Sequence, residues 1–132
     1  MKRYVYARHS NSKLLRQQWT PAEDEYEVVA TDGAWKCVKP LTHKAAVYFG
    51  RLGAKAKWDI SYSDNPTWFN SFVKNNGPVY IFYNESDPSE KYAYSPDVTL
   101  SNGRVLFSDI DDYIIDPAEF ISDHPNFAYL FE

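Results

Sequence analysis

The chain has 132 residues, a net charge of −4 and a single cysteine, Cys37. A chain of this length buries a core without covalent staples, and one cysteine excludes both an internal disulfide framework and a cysteine-type zinc site. No apolar stretch approaches the roughly 20 residues that a membrane-spanning helix needs. Met1-Lys2-Arg3 runs into alternating Tyr4-Val5-Tyr6 rather than into the apolar run of a leader. The expectation is one soluble domain over residues 1–132, working in a reducing cytoplasm.

The first predicted element is a short alternating strand over residues 3–7, followed by a helical turn over 13–19 and a Thr20-Pro21 turn over 20–24. Residues 25–30 and 35–39 flank Asp32-Gly33, the turn signal of a hairpin. Pro40 ends the second strand. Thr42 caps a helix over 43–52, with Ala45, Ala46, Phe49 and Leu52 on one face; Gly50 weakens it and Gly53 ends it. Residues 57–62 alternate as a strand that places Trp58, Ile60 and Tyr62 on one side. Asn65-Pro66 opens a helix through Asn75 whose buried face is Trp68, Phe69, Phe72 and Val73.

Residues 79–83 form the most apolar run and the best central strand. A turn over 85–89 leads to a partner at 91–94. Residues 98–100 and 105–107 flank Ser101-Asn102-Gly103, a second hairpin. Asp116-Pro117 opens a helix over 118–122, His124-Pro125 breaks it, and 126–131 adds a helical turn. The expected architecture is α+β: an antiparallel sheet of five to seven short strands with two or three helices packed on one face.

The charge is divided along the chain. Residues 1–80 carry 12 Lys/Arg against 7 Asp/Glu, and residues 81–132 carry 2 against 11. Asp109, Asp111, Asp112, Asp116, Glu119 and Asp123 follow one another with no Lys or Arg among them. On a helix, Asp116, Glu119 and Asp123 share a face, about 5–6 Å apart, close to the phosphate spacing of a nucleic-acid strand. With Asp97 and Tyr113, and with Tyr94 and Phe107 as aromatic neighbours, they form a candidate partner-binding surface that imitates nucleic acid. The plainer reading is a solvated face on which aspartates cap turns, as Asp116 before Pro117 can. A calcium loop at Asp109-x-Asp111-Asp112 lacks the glycine and terminal glutamate of that motif.

The basic half offers the opposite chemistry. Arg3, Arg8, Lys55 and Lys57, interleaved with aromatics such as Tyr4, Tyr6 and Trp58, suit single-stranded nucleic acid, although the acidic third repels a phosphate backbone. Docking of the basic part of one copy onto the acidic part of another would give a homodimer. His9, His43 and His124 lack ligand spacing, Gly50-x-x-Gly53 lacks the lysine of a phosphate loop, and no nucleophile sits in a recognisable elbow. No enzyme activity, metal or cofactor is expected.

Several segments together resemble a recurrent group of uncharacterised small proteins from phages and mobile elements. The matching segments are Val38-Lys39-Pro40-Leu41-Thr42-His43-Lys44-Ala45-Ala46, then Gly53 and Ala56-Lys57-Trp58-Asp59. Thr67-Trp68-Phe69-Asn70-Ser71-Phe72 and Gly77-Pro78-Val79-Tyr80-Ile81 complete them. The group's pattern reads P-x-T-H-E-A, then T-K-W-C, then G-P-L-Y-I, and the similarity spans about 100 residues. Asp59 stands in place of the group's cysteine and Lys44 in place of its glutamate, so any thiol chemistry of the group is not expected here. The resemblance implies a phage or mobile-element origin and a shared fold, but no reaction. Combined with the divided charge, it points to a stoichiometric inhibitor of a host nucleic-acid-handling defence protein. An anti-CRISPR protein that occludes the basic groove of a Cas nuclease fits. A nucleic-acid-binding accessory protein and a virion accessory protein are the alternatives.

Overall fold

The computed structural model describes residues 20–132; the strand expected at 3–7, the turn at 13–19, and Arg3, Arg8 and His9 lie outside them. Five strands, β1 (Tyr26–Asp32), β2 (Trp35–Pro40), β3 (Tyr80–Asn84), β4 (Asp87–Thr99) and β5 (Val105–Ser108), form one antiparallel sheet in the order β1-β2-β3-β4-β5. The fold is α+β, with the apolar run at β3 in the centre of the sheet. Three helices, α1 (His43–Arg51), α2 (Asp59–Tyr62) and α3 (Pro66–Asn76), lie between β2 and β3. A fourth, α4 (Ala118–Asp123), and a 3-10 segment (Pro125–Phe131) follow β5. Among the described residues no helix is long and apolar enough to cross a membrane.

Strand alternation divides the core into two layers. Val38, Ile81, Tyr83 and Ala93 face α1–α3 and pack with Ala45, Phe49, Trp58 and Phe69. Their neighbours Cys37, Phe82, Tyr94 and Phe107 point the other way, onto Phe120 and Phe127 of the C-terminal segment. The helices expected on one face are there, and the short C-terminal helices cover the other.

Local chemistry explains most boundaries. The Thr42 hydroxyl accepts the Ala45 N–H at 3.2 Å and donates to Glu25 Oε1 at 3.0 Å, tying the start of α1 to the entry of β1. Asn65 Oδ1 accepts the Thr67 N–H at 3.0 Å, with Pro66 at the first helical position of α3. Gly33, at φ +59°, begins a two-residue turn between Asp32 and Trp35. Gly50 has a packing reason inside a helix: a Cβ there would lie 2.3 Å from Ser61 Oγ, so only glycine lets α1 and α2 meet.

Four expectations change. The entry turn expected over 20–24 is a 3-10 turn over Glu23–Glu25 that begins at Ala22, whose N–H donates to Glu25 Oε2 at 2.8 Å. Residues 57–62 are not a strand. The Trp58 carbonyl accepts from the Ser61 and Tyr62 N–H groups at 3.1 and 2.7 Å, closing the single turn of α2. Trp58 and Ile60 are both buried, which imitates alternation, but Tyr62 is exposed and breaks it. Trp68, expected in the buried face of α3, is exposed; Phe69 alone of that helix is fully buried. The separate strands at 91–94 and 98–100 are one strand, β4. Its register with β5 breaks between Ser95 and Thr99, around Pro96, which has no N–H to donate.

Lys91 holds the two halves of the fold together. It is only 2% exposed. Its Nζ donates to the carbonyls of Phe49 and Gly50 at 3.1 Å each, of Ala54 at 2.9 Å, and of Leu52. A side chain of β4 thereby caps the C-terminus of α1, where the last carbonyls lack helical partners and the helix dipole favours a cation. Burial pushes the Lys91 pKa down to about 8, so the amine stays largely protonated at neutral pH. The cost of burying the charge applies below pH 8. It is relieved between about 8 and the unfolded value of 10.5, where the folded chain releases the proton first. Replacing Lys91 by Met leaves the Phe49 and Ala54 carbonyls without this donor, while those of Gly50 and Leu52 keep the Ala56 and Ala54 N–H groups. Thermal unfolding of Lys91→Met should show a loss of about 3 kcal/mol, or roughly 10 °C in Tm. A Tm within about 2 °C of the parent would show the contacts to be dispensable.

Candidate functional site: an acidic aromatic cleft

A cleft of about 380 Å³ opens between the sheet and α4. Its wall on the sheet is Trp35 at the start of β2 with Glu90 and Tyr92 of β4. Phe120 and His124 face them, and Asp109, Asp116, Glu119 and Asp123 add carboxylates. Ser89, Ile110, Ile115 and Lys91, whose ammonium is held by carbonyls at the end of α1, also line it. The aromatic rings are mutually ordered. Trp35 stacks on Tyr92 at 6.0 Å and meets Phe120 edge-on at 5.3 Å, while His124 lies 4.9 Å from Trp35 and 4.7 Å from Phe120.

Folding brings four of the eight sequence-predicted partner-binding residues to this cleft: Asp109, Asp116, Glu119 and Asp123. Two of them also do the structural work of the plainer reading. Asp109 Oδ1 accepts the N–H groups of Asp111 and Tyr113 at 3.0 Å each, and Asp116 Oδ1 accepts that of Ala118 at 2.9 Å, at the entry to α4. The other four lie elsewhere. Asp111 pairs with Lys57 at 3.6 Å. Asp112, at φ +69°, lines a different cavity behind the 109–113 loop. Tyr113 is 68% exposed on that loop and does not line the cleft. The Asp97 carboxylate sits against Gly77, where an added Cβ would lie 2.5 Å from Oδ2. The candidate aromatic neighbours Tyr94 and Phe107 are buried in the core.

Trp35, Glu90, Tyr92, Phe120 and His124 escaped the sequence reading. The alternation at Glu90 and Tyr92 was available as a signal. What it lacked was the pairing that sets β4 beside β3 and α4 beneath both.

Electrostatics separates the two halves of the chain. Lys36 pairs with Glu85, Lys39 with Glu27, Lys44 with Glu25, Arg51 with Asp64 and Lys57 with Asp111. Lys55 lies 4.3 Å over the Tyr62 ring. The two described residues of the candidate nucleic-acid surface, Lys55 and Lys57, are thus already engaged. Among the described residues no Lys or Arg pairs with Glu90, Asp109, Asp116, Glu119 or Asp123. Residues 20–132 carry nine Lys/Arg and all eighteen Asp/Glu, so the basic excess of the first 80 residues belongs to the first 19. The cleft can therefore attract a cation with five carboxylates and hold its flat or alkyl part against aromatic rings. Among the described residues no three His, Cys, Asp or Glu side chains form a group that could hold a metal ion.

The Tyr92 phenol senses this field. Its pKa is raised above 10, first by burial and then by Glu90, Asp109, Glu119 and Asp123. Below pH 10 the phenol is neutral in both folded and unfolded chains. Above it the unfolded chain ionises first, so this group costs stability as pH rises. In a Glu119→Gln/Asp123→Asn variant the Tyr92 titration, followed by ring-carbon NMR, should move down but stay above 10. An unmoved titration would place those carboxylates too far away to matter. Comparison with known proteins finds no protein-family model, no curated protein and no solved structure that matches this chain.

Proposed function

We propose that the chain acts by stoichiometric binding, with its acidic aromatic cleft engaging Lys and Arg side chains in the nucleic-acid groove of a host defence protein. The observation that carries this reading is the uneven neutralisation of charge. Most described cations have a local partner, while among the described residues no Lys or Arg pairs with a cleft carboxylate. Interfaces of this kind draw association rate from complementary potentials and affinity from desolvated aromatic and arginine anchors. A groove built to hold phosphates presents cations that this cleft can receive in their place. The resemblance to phage and mobile-element proteins makes an RNA-guided nuclease the first target class to test.

Direct nucleic-acid binding is the second reading. It would rest on the basic excess of the first 19 residues, since Lys55 and Lys57 are engaged within the fold.

The test is the association rate with a panel of purified RNA-guided nucleases, measured between 50 and 300 mM salt. The proposal expects a rate that falls about tenfold or more across that range, and a comparable loss in Glu119→Lys/Asp123→Lys. Absence of binding to every nuclease at the lowest salt, with a gel shift on single-stranded DNA or RNA, would overturn it in favour of the second reading.

A further inference from the structure

A second cavity, of about 180 Å³, lies on the opposite face of the sheet, beneath α2 and α3. Its floor carries two polar side chains, Ser95 of β4 and Ser108 of β5, which are 4% and 6% exposed. Among the described residues neither hydroxyl has a hydrogen-bond partner. A buried hydroxyl is ordinarily satisfied, so two that point into one cavity mark a place where a ligand can bond. Trp58, Ile60 and Phe72 form the walls. Asp59 and Asp112, both exposed to solvent, also line it; among the described residues neither is in an ion pair, and Asp112 is the one non-glycine residue with positive φ. Burial, then Asp59 and Asp109, raises the Asp112 pKa, as expected where negative groups lack a cation.

We infer that this cavity is a binding site for a small organic ammonium ion, with Asp112 and Asp59 taking the charge, Ser95 and Ser108 bonding its N–H groups, and Trp58 and Phe72 enclosing its alkyl part. The apolar walls and the two-carboxylate donor set suit an alkylammonium better than a metal ion. The volume is below that of ordinary ligand pockets, which limits the ligand to a few heavy atoms. This site is separate from the cleft and does not depend on the protein-binding reading.

The experiment is an NMR titration of the full chain with n-propylammonium chloride, using n-butanol as the neutral probe of similar size and sodium and calcium chloride as ionic controls. The site predicts saturable shifts of the Trp58 indole N–H and the Ser95 and Ser108 amides with propylammonium. Butanol and the salts should give none. Asp112→Asn keeps a residue that tolerates positive φ, so it should fold and bind about tenfold more weakly. Ser108→Val removes one hydroxyl and occupies the space; it should abolish the shifts while leaving the Tm within a few degrees. Equal response to butanol, a response to calcium alone, or no saturable response at millimolar propylammonium would each overturn the assignment.

Discussion

The fold depends on one buried cation. The Lys91 ammonium reaches from β4 into the end of α1 and meets four carbonyls there, with no carboxylate beside it. It commits the register of β4, because strand side chains alternate: with Lys91 on the helical face, Glu90 and Tyr92 must stand on the other. A slip of one residue would drive the lysine into the layer of Phe82, Phe107 and Phe120 and leave the end of α1 uncapped. The same commitment shapes the cleft. Lys91 is one of only two cations in the last 52 residues, and Arg104 sits in the exposed β4–β5 turn. Lys91 lines the cleft, but its ammonium is committed to the carbonyls of α1, and among the described residues no Lys or Arg pairs with the carboxylates around Tyr92.

Neutralisation elsewhere is local. Each of the five ion pairs among described residues joins a cation from the span Lys36–Lys57 to a carboxylate outside the cleft. Such pairs on exposed groups add little stability. Their consequence is electrostatic: they cancel the positive character of that surface and leave the negative character of the cleft. The aromatic floor then matters as much as the charge. A carboxylate on a fully solvated face attracts weakly, whereas one beside packed rings acts through a lower dielectric.

Much of the fold was legible in the sequence because it rests on local chemistry. Thr42 and Asn65 announce helix starts through their side-chain oxygens, Gly33 and Gly103 announce hairpin turns through positive φ, and the apolar run at β3 announces the centre of the sheet. What failed rests on tertiary decisions. Trp58 and Ile60 alternate with polar residues in sequence yet sit on one helical turn, because the Trp58 carbonyl closes that turn. The exposure of Trp68 follows from which neighbours α3 finds, and no pattern within α3 contains that. The acidic run was visible, but its division was not. Asp111 meets Lys57 and Asp112 turns to the other face, whereas Glu119 and Asp123 join a glutamate from a distant strand. Those outcomes depend on a loop closed by the Asp109 carboxylate and on strand pairing.

The central claim is that folding leaves a negative, aromatic-floored cleft open to an outside cation. Its most direct test is the near-surface electrostatic potential of the free protein, read from paramagnetic relaxation of backbone amides by a cationic and an anionic nitroxide. The account predicts the most negative potential at the amides of residues 90–92 and 119–123, and values near zero around Lys36, Lys39 and Lys44. A potential near zero along α4, with the negative maximum elsewhere on the molecule, would contradict it.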